Sequence, residues 1–244
     1  MASNKTLNAK NLEALGADRL AVLLMEVTVG NATARRRLRL ELAGAQSPAA
    51  LAKEVRKRLA TIRRSRSFVD WDKTRAFAAD LENQRRLIVE TLSKADPQEA
   101  LDLLWRFMEL ADSVFGRCDD SNGTVGDVFR AACLDFGPLA EVARPDPVSL
   151  ADRAFGVLQD NGYGQFDGLI ATLAPALGPK GLGHLKTRFT ELSRTPVVTP
   201  PQAERRVIGY GSGGPMYEDE IQRSGRKSTI RLSLMAIADA QGDA

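Results

Sequence analysis

The chain contains three Ser-Pro or Asp-Pro pairs, in which a helix-capping residue stands directly before a proline, and this pattern favours a fold built from helices. The pairs are Ser47-Pro48, Asp96-Pro97 and Asp146-Pro147. A Ser or Asp side chain accepts a hydrogen bond from the free amides at a helix start, and proline fits the first helical position because its missing N–H needs no partner there. Each pair therefore predicts the N-terminus of a helix.

Apolar residues follow these starts at helical intervals. The stripe after the first pair is formed by Leu51, Val55, Leu59 and Ile62, which fall within one narrow arc of a helix. The helix after the second pair has an apolar face that includes Trp105. Similar stripes continue along the chain and predict about ten short helices. Leu59 and Trp105 are thus predicted to be core residues.

Residues 37–42 show a different pattern, because apolar and polar residues alternate there as in a β-strand. The Leu content and the lack of β-branched residues favour a helix instead. Only 6% of the residues are aromatic, so the core must consist mainly of Leu, Ala and Val, which suit helix-on-helix packing. The sequence therefore predicts an all-α fold of short amphipathic helices stacked as hairpins, like HEAT or tetratricopeptide repeats.

The pattern of prolines and glycines divides the chain into three parts. Residues 1–194 are the predicted helical array. Residues 195–227 contain three prolines before a glycine-rich run at 209–215, and we expect a long loop there. Residues 228–244 are predicted to form a final helix, or alternatively the start of a further repeat region.

Charge is distributed unevenly along the array. Residues 1–94 carry 19 Lys and Arg against 10 Asp and Glu, which is a net charge of +9. Residues 95–194 carry 9 against 15, a net charge of −6, and the remainder is neutral with 6 against 6. A basic half can bind nucleic acid or an acidic partner, and it can equally attract the acidic half of the same fold.

Composition predicts a cytoplasmic protein. The two cysteines, Cys118 and Cys133, are placed on successive predicted helical segments and are too few for a disulfide framework, so we expect them to be small buried hydrophobic residues. Residues 1–6 lack the apolar core of a signal peptide. No apolar run approaches the roughly 20 residues that cross a bilayer. We therefore expect no membrane partner.

Four segments together resemble a known family. They are residues 7–16, 66–71, 103–108 and the glycine-rich residues 209–215. The combination resembles a family of uncharacterised bacterial proteins, named as a domain of unknown function, whose longer members continue into tetratricopeptide-like hairpins. This chain is similar to their N-terminal half. The resemblance implies a helical fold and supplies no catalytic residues.

Several motifs suggest cofactor or metal chemistry but lack the required context. The glycines Gly209, Gly211 and Gly214 form a G-x-G-x-x-G pattern, yet a dinucleotide fold needs a preceding strand, a following helix and a parallel sheet. Residues 119–123 resemble a calcium loop, but the ligand positions do not match. His184 is the only histidine, so neither a zinc site nor a histidine triad is expected. We predict no cofactor and no metal.

Acidic residues near helix starts offer a weak basis for catalysis. The group comprises Asp120, Asp127, Asp160 and Asp167, which recur in matching loops. Acids are also expected at helix starts for capping and dipole reasons. An enzyme that uses these loops therefore remains the least favoured of three hypotheses.

The leading hypothesis is a non-enzymatic helical scaffold that binds another protein. The candidate partner-binding residues are Arg56, Lys57, Arg63, Arg64, Tyr210, Gly211, Gly213 and Tyr217. The alternative is a nucleic-acid-associated protein that uses the basic helix face of residues 47–66, since clustered Lys and Arg gain from counterion release. Neither the partner nor the oligomeric state follows from the sequence.

Overall fold

The computed structural model describes residues 6–197, 200–211 and 214–242, and for Ala203 only the backbone. Within these residues the α-helices are α1 (Ala9–Glu13), α2 (Ala17–Val27), α3 (Ala32–Gln46), α4 (Pro48–Arg64), α5 (Trp71–Arg86), α6 (Ser93–Ala95), α7 (Pro97–Met108), α8 (Ala111–Phe115), α9 (Thr124–Ala143), α10 (Pro147–Leu158), α11 (Leu169–Arg194) and α12 (Glu218–Gln241). A π-helical segment, Leu87–Leu92, joins α5 to α6. A 3-10 turn, Gln202–Glu204, precedes a hairpin of β1 (Val207–Gly211) and β2 (Gly214–Tyr217).

The predicted all-α class is confirmed, since the hairpin is the only sheet in the described part of the chain. The alternating residues 37–42 lie within α3, as expected for a Leu-rich segment without β-branched residues. Among the described residues, none of the helices combines the length and the apolar character needed to cross a membrane. The chain consists of two compact units, residues 1–54 and residues 55–244.

The three predicted helix starts are confirmed by their cap hydrogen bonds. The amide of Ala50 donates to Ser47 Oγ at 3.1 Å, and the amide of Glu99 donates to Asp96 Oδ1 at 3.0 Å. The amide of Ser149 donates to the carboxylate of Asp146 at 2.9 Å. These local bonds satisfy amides that the helices leave free, so the starts of α4, α7 and α10 are fixed by neighbouring residues alone.

In the first unit, α2 displays apolar side chains to solvent. Val22, Met25 and Val27 are each about half exposed or more. Leu40 and Ala43 of α3 are buried. Within this unit the short α1 begins with a side-chain cap from Asn8.

The core of the second unit is centred on α7, α9 and α11. Trp105 is 1% exposed, and its ring centroid lies 4.0 Å from that of Phe136 and 6.5 Å from that of Phe166. Leu59 of α4 is also buried, so both predicted core residues are confirmed. Together these contacts pack the middle helices through large apolar side chains.

Helix α11 has two distinctive backbone features. Gly178 adopts φ +54° and ψ −174°, which breaks α11 into two helical segments at the position where a glycine permits a conformation unfavourable for other residues. At Gly137 of α9, an added Cβ would lie only 2.7 Å from the carbonyl oxygen of Thr172 in α11. The two helix backbones therefore approach each other closely at this point.

The predicted loop at residues 195–227 is shorter than expected, because α12 begins at Glu218 and β1 and β2 form an antiparallel hairpin. The first ten residues of α12 lack an apolar stripe, so helical periodicity did not identify them. The acids at the start of α12 are favoured by the helix dipole. Arg205 also donates to Asp219 at 3.0 Å, which links the segment before the hairpin to the start of α12.

Both cysteines are buried free thiols. Cys133 lies in α9, whereas Cys118 lies outside a helix, in a backbone bridge to Val69. The prediction that Cys118 is helical is therefore wrong, because this short segment pairs with the backbone before α5. Burial raises the pKa of Cys133 to about 12, and burial also raises the pKa of Cys118.

We expect neither thiol to react with iodoacetamide at pH 8 in the native protein. The thiolate is the reactive form, and burial both shields the two thiols from the reagent and raises their pKa values. Mass spectrometry should detect no adduct on the chain alkylated under native conditions. It should detect two adducts in about 6 M guanidinium chloride, because this concentration unfolds most domains. Rapid native alkylation of Cys133 would contradict its burial in α9.

Candidate functional site

Two arginines of the predicted basic face of α4 lie close to acids of α7 or of the residue that follows α7. Arg56 forms an ion pair with Glu99, and Arg63 lies 3.5 Å from Glu109. Arg64 is exposed and donates to its own helix backbone at Ala60. Arg85 likewise pairs with Asp135 at 2.5 Å. Within the second unit, attraction between basic and acidic segments therefore accounts for part of the charge asymmetry.

A depression lies between α4, α7 and α10, and we name it the arginine depression. It has a volume of about 320 Å³. Its walls are formed by Arg56, Leu59, Ala60, Arg63, Arg106, Glu109, Leu110 and Arg153. Four guanidinium groups and one carboxylate thus surround a small open space.

The arginines of this depression are held to different degrees. Arg153 donates to Asp102 at 2.6 Å, and its guanidinium carbon lies 5.0 Å from the centroid of the Trp105 ring. Arg106 is exposed and makes no hydrogen bond or ion pair within the part of the chain that the structure describes. The depression therefore combines fixed guanidinium groups with one that is free to bind an anion.

A second depression adjoins the first, and we name it the carboxyl depression. It has a volume of about 250 Å³ and shares the wall residues Arg63 and Glu109 with the arginine depression. Asp112 and Asp160 lie in its wall with Gln165. Partial desolvation raises the pKa of Asp112, and the nearby Asp160, with which it shares a hydrogen bond, raises that pKa further. Two carboxyl groups therefore approach each other at this point.

Two further depressions are linked to these by shared wall residues. The third, of about 410 Å³, shares Asp160 with the carboxyl depression and reaches Gly225 of α12. The fourth, of about 440 Å³, shares Gln222 and Arg226 with the third and ends beside Arg206 before the hairpin. We call these four depressions the row. The row crosses α4, α7, α10 and α12, and each pair of neighbours has wall residues in common.

The glycine-rich candidates lie in or beside the hairpin. Tyr210 is 81% exposed, and Gly211 ends β1. Gly213 lies outside the described residues. The ring of Tyr217 is covered by the guanidinium of Arg205, 3.8 Å from the ring centroid, so this tyrosine helps to attach the hairpin to α12. The structure therefore brings Tyr210 and Tyr217 to the same hairpin but gives them different surroundings.

The described glycines of the G-x-G-x-x-G pattern lie in the strands of the hairpin. Gly209 and Gly211 lie in β1 and pair with Met216 and Gly214 of the antiparallel β2. A dinucleotide site requires a parallel sheet and a helix directly after the glycine turn. The described glycines thus lie in a hairpin that differs from that arrangement.

Most of the candidate catalytic acids make structural hydrogen bonds. The carboxylate of Asp120 accepts from the amides of Val125 and Gly126, both at 2.8 Å, at the start of α9. Asp127 pairs with Arg130, and Asp167 accepts from Asn161. Asp160 alone of this group joins another carboxyl group, that of Asp112. In residues 6–197, 200–211 and 214–242, no group of three or more His, Cys, Asp and Glu side chains is placed to hold a metal ion.

His184 has an acidic partner on the neighbouring helix. Its Nε2 atom lies 2.9 Å from Asp152, which also forms an ion pair with Arg188. Hydrogen bonding to His184 lowers the pKa of Asp152. All three side chains lie on α10 and α11, so they link these two helices at the surface.

Sequence reasoning missed three residues of the row: Arg106, Arg153 and Asp112. They come from α7, α8 and α10, and only tertiary packing brings them beside Arg63. Arg106 was detectable as the one charged residue in the otherwise apolar run of residues 103–108. No local signal, however, joins it to residues about 50 positions away, because the spacing of a single helix extends over a few turns only.

Comparison with known proteins gives a family and no activity. No curated protein and no solved structure shows significant similarity to the chain. A family model matches residues 2–244, in agreement with the resemblance to uncharacterised proteins that the sequence motifs suggested. The chain belongs to this family of unknown function, DUF6880.

Proposed function

We propose that this protein is a helical scaffold that binds an extended segment of another protein along the row. The observation that carries the proposal is the continuity of the four depressions through shared wall residues. Neighbouring depressions that share wall residues across several helices match an extended chain better than a compact small molecule, which usually binds in one deep pocket.

The walls of the row support peptide binding in chemical terms. They combine guanidinium and carboxylate groups with small residues such as Ala60, Gly156 and Gly225. Side chains of a bound segment would find both hydrogen-bonding partners and space close to the helix backbones. Polar groups fix the orientation of a peptide, and small wall residues allow close approach.

Binding of nucleic acid through residues 47–66 has less support. Arg56 already forms an ion pair with Glu99, so a phosphate that binds Arg56 would have to displace this carboxylate. Displacing an ion pair reduces the gain from each phosphate contact. We therefore favour a protein partner.

The test of this proposal replaces glycines of the row with a larger residue at positions where the fold has space for it. At Gly156 in the carboxyl depression and Gly225 in the third depression, an added Cβ meets no heavy atom within 4 Å. Leucine is favoured over glycine in helix interiors by up to about 1 kcal/mol, so Gly156→Leu and Gly225→Leu should fold. Their side chains should fill the row.

We expect both variants to weaken peptide binding. Peptides would first be selected from a displayed random library with the full chain, and the affinity of a selected peptide would then be measured by fluorescence anisotropy. Loss of contacts in a filled depression should raise Kd about tenfold or more in each variant.

A matched control distinguishes blocking of the row from general effects. Gly183 of α11 also has open space around an added Cβ and lies outside the row. Gly183→Leu should leave Kd within about twofold of the wild-type value, which corresponds to a change in binding free energy of less than about 0.5 kcal/mol. If no peptide can be selected, or if Gly183→Leu weakens binding as much as Gly156→Leu, the proposed function is wrong.

A further inference from the structure

The first two depressions of the row adjoin but differ in charge. The arginine depression is lined by four arginines and one acid, Glu109. Two of these arginines, Arg56 and Arg153, also form ion pairs with acids outside the lining. In the carboxyl depression, Glu109, Asp112 and Asp160 face the single guanidinium of Arg63. A segment that lies along both depressions therefore passes from a basic surface to an acidic one.

The arginine depression retains unused hydrogen-bond donors. Each guanidinium has five N–H groups in a planar fork that matches the two oxygens of a carboxylate. Arg106 has no partner among the described residues, and Arg63 lies 3.5 Å from Glu109, beyond the usual length of a charged hydrogen bond. Arg153 contacts Asp102 through one nitrogen, Nη1. Donors thus remain available to an incoming anion.

We propose, on the basis of the function proposed above, that the partner segment is acidic where it meets the arginine depression and basic where it meets the carboxyl depression. Carboxylate side chains of the segment would accept hydrogen bonds from Arg106, Arg153 and Arg63. A Lys or Arg that follows would lie against Asp112 and Asp160. The partner is thus a peptide in which an acidic stretch lies next to a basic one.

The dimensions of α4 limit the length of the acidic part. Arg56 and Arg63 are seven residues apart, which corresponds to about 10 Å along a helix. An extended peptide advances about 3.3 Å per residue. Roughly three residues therefore span the arginine depression, and two alternate positions among them can direct side chains to the same wall.

The alternation of charge favours a peptide over a single-stranded nucleic acid. A nucleic acid carries a phosphate at every nucleotide, so phosphates would meet Asp112 and Asp160 directly after the arginines. A peptide can change the sign of its charge from one residue to the next. Like charges in contact are unfavourable, and a polyanion would pay this cost over the carboxyl depression.

The experiment uses defined probes with the full chain. The first probe is a fluorescein-labelled peptide of twelve residues, with Glu at two alternate positions followed by two Lys and otherwise Ser and Ala. The second has the reverse order, since the direction of binding is open, and the third replaces each Glu with Gln. Twelve-nucleotide oligothymidine serves as the nucleic-acid probe.

Two charge reversals form a matched pair of variants. Arg106→Glu changes the arginine depression, whereas Arg231→Glu changes an exposed residue of α12 outside the row. Like Arg106, Arg231 makes no hydrogen bond or ion pair within the described ranges, so both replacements should fold. Far-UV circular dichroism checks this, and Arg106→Gln provides a milder variant.

We expect one of the two Glu-containing peptides to bind at least about tenfold more tightly than the Gln peptide, as charged hydrogen bonds predict. Arg106→Glu should raise the Kd of this peptide about tenfold, and Arg106→Gln should raise it less. Arg231→Glu should change the Kd less than about twofold. Equal Kd values for the Glu and Gln peptides, or equal effects of the two reversals, would overturn the acidic specificity. Tighter binding of oligothymidine would also overturn it.

The peptide selected from the library separates this failure from failure of the proposed function. If that peptide loses affinity in Gly156→Leu, keeps it in Arg106→Glu and contains no Asp or Glu, then the row binds peptides of a different chemistry. If that peptide is unaffected by Gly156→Leu and Gly225→Leu, the row is not the binding surface at all.

Discussion

Replacement of Trp105 with alanine is expected to lower the free energy of unfolding by about 4 kcal/mol, because large-to-small changes of buried aromatic residues cost 3–5 kcal/mol. The Trp105 side chain is 1% exposed and lies against Phe136 and Phe166, so its removal leaves a cavity between α7, α9 and the turn before α11. The replacement would also remove the cation–π contact between the Arg153 guanidinium and the Trp105 ring. Urea unfolding followed by circular dichroism measures the change.

The other tryptophan provides the control for this experiment. Trp71 is 77% exposed at the start of α5. The same replacement there removes few packing contacts, and we expect a change within about 0.5 kcal/mol. Similar losses in Trp71→Ala and Trp105→Ala would mean that α7 does not pack as described.

Replacement of Arg58 with methionine is expected to lower the free energy of unfolding by about 3 kcal/mol, because the change removes one partner of a buried ion pair. Arg58 donates from Nε to Asp80 at 2.9 Å, and the Asp80 side chain is only 7% exposed. The carboxylate would remain in a place that water reaches poorly. Methionine keeps much of the arginine's length, so lost packing contributes little.

A second replacement separates the charge effect from packing. In the double variant Arg58→Met with Asp80→Leu, both charged groups are absent, and apolar side chains fill their space. Replacing a buried ion pair with apolar residues often leaves the free energy of unfolding unchanged or raises it. We therefore expect the double variant to recover about half or more of the stability that Arg58→Met loses. A double variant less stable than Arg58→Met would show that Asp80 acts mainly through contacts other than this pair.

Features that depend on neighbouring residues could be predicted from the sequence. The starts of α4, α7 and α10 follow from Ser47, Asp96 and Asp146, since each cap joins residues three positions apart. Burial of Leu59 and Trp105 follows from apolar periodicity. The predicted membership in an uncharacterised family is likewise supported, whereas the tetratricopeptide-like continuation and the cytoplasmic location stay predictions.

Features that depend on tertiary contacts could not be predicted in this way. The basic face of α4 was visible, but its pairing with Glu99 and Glu109 joins residues more than 40 positions apart in sequence. The early start of α12 is accompanied by a contact between Arg205, which lies before the hairpin, and Asp219, which lies after it. The row combines several helices, so its residues have no common spacing for a sequence pattern to reveal.

The close approach of α9 and α11 at Gly137 bears on the thermodynamics of ligand binding. Two helices that form walls of the row, α10 and α12, both pack on α11, and α11 lies nearly backbone to backbone against α9. These walls are thus held in place by the core before any ligand arrives. A preorganised surface loses little conformational entropy on binding, so most of the entropic cost falls on the peptide, and rigidifying that peptide should increase its affinity.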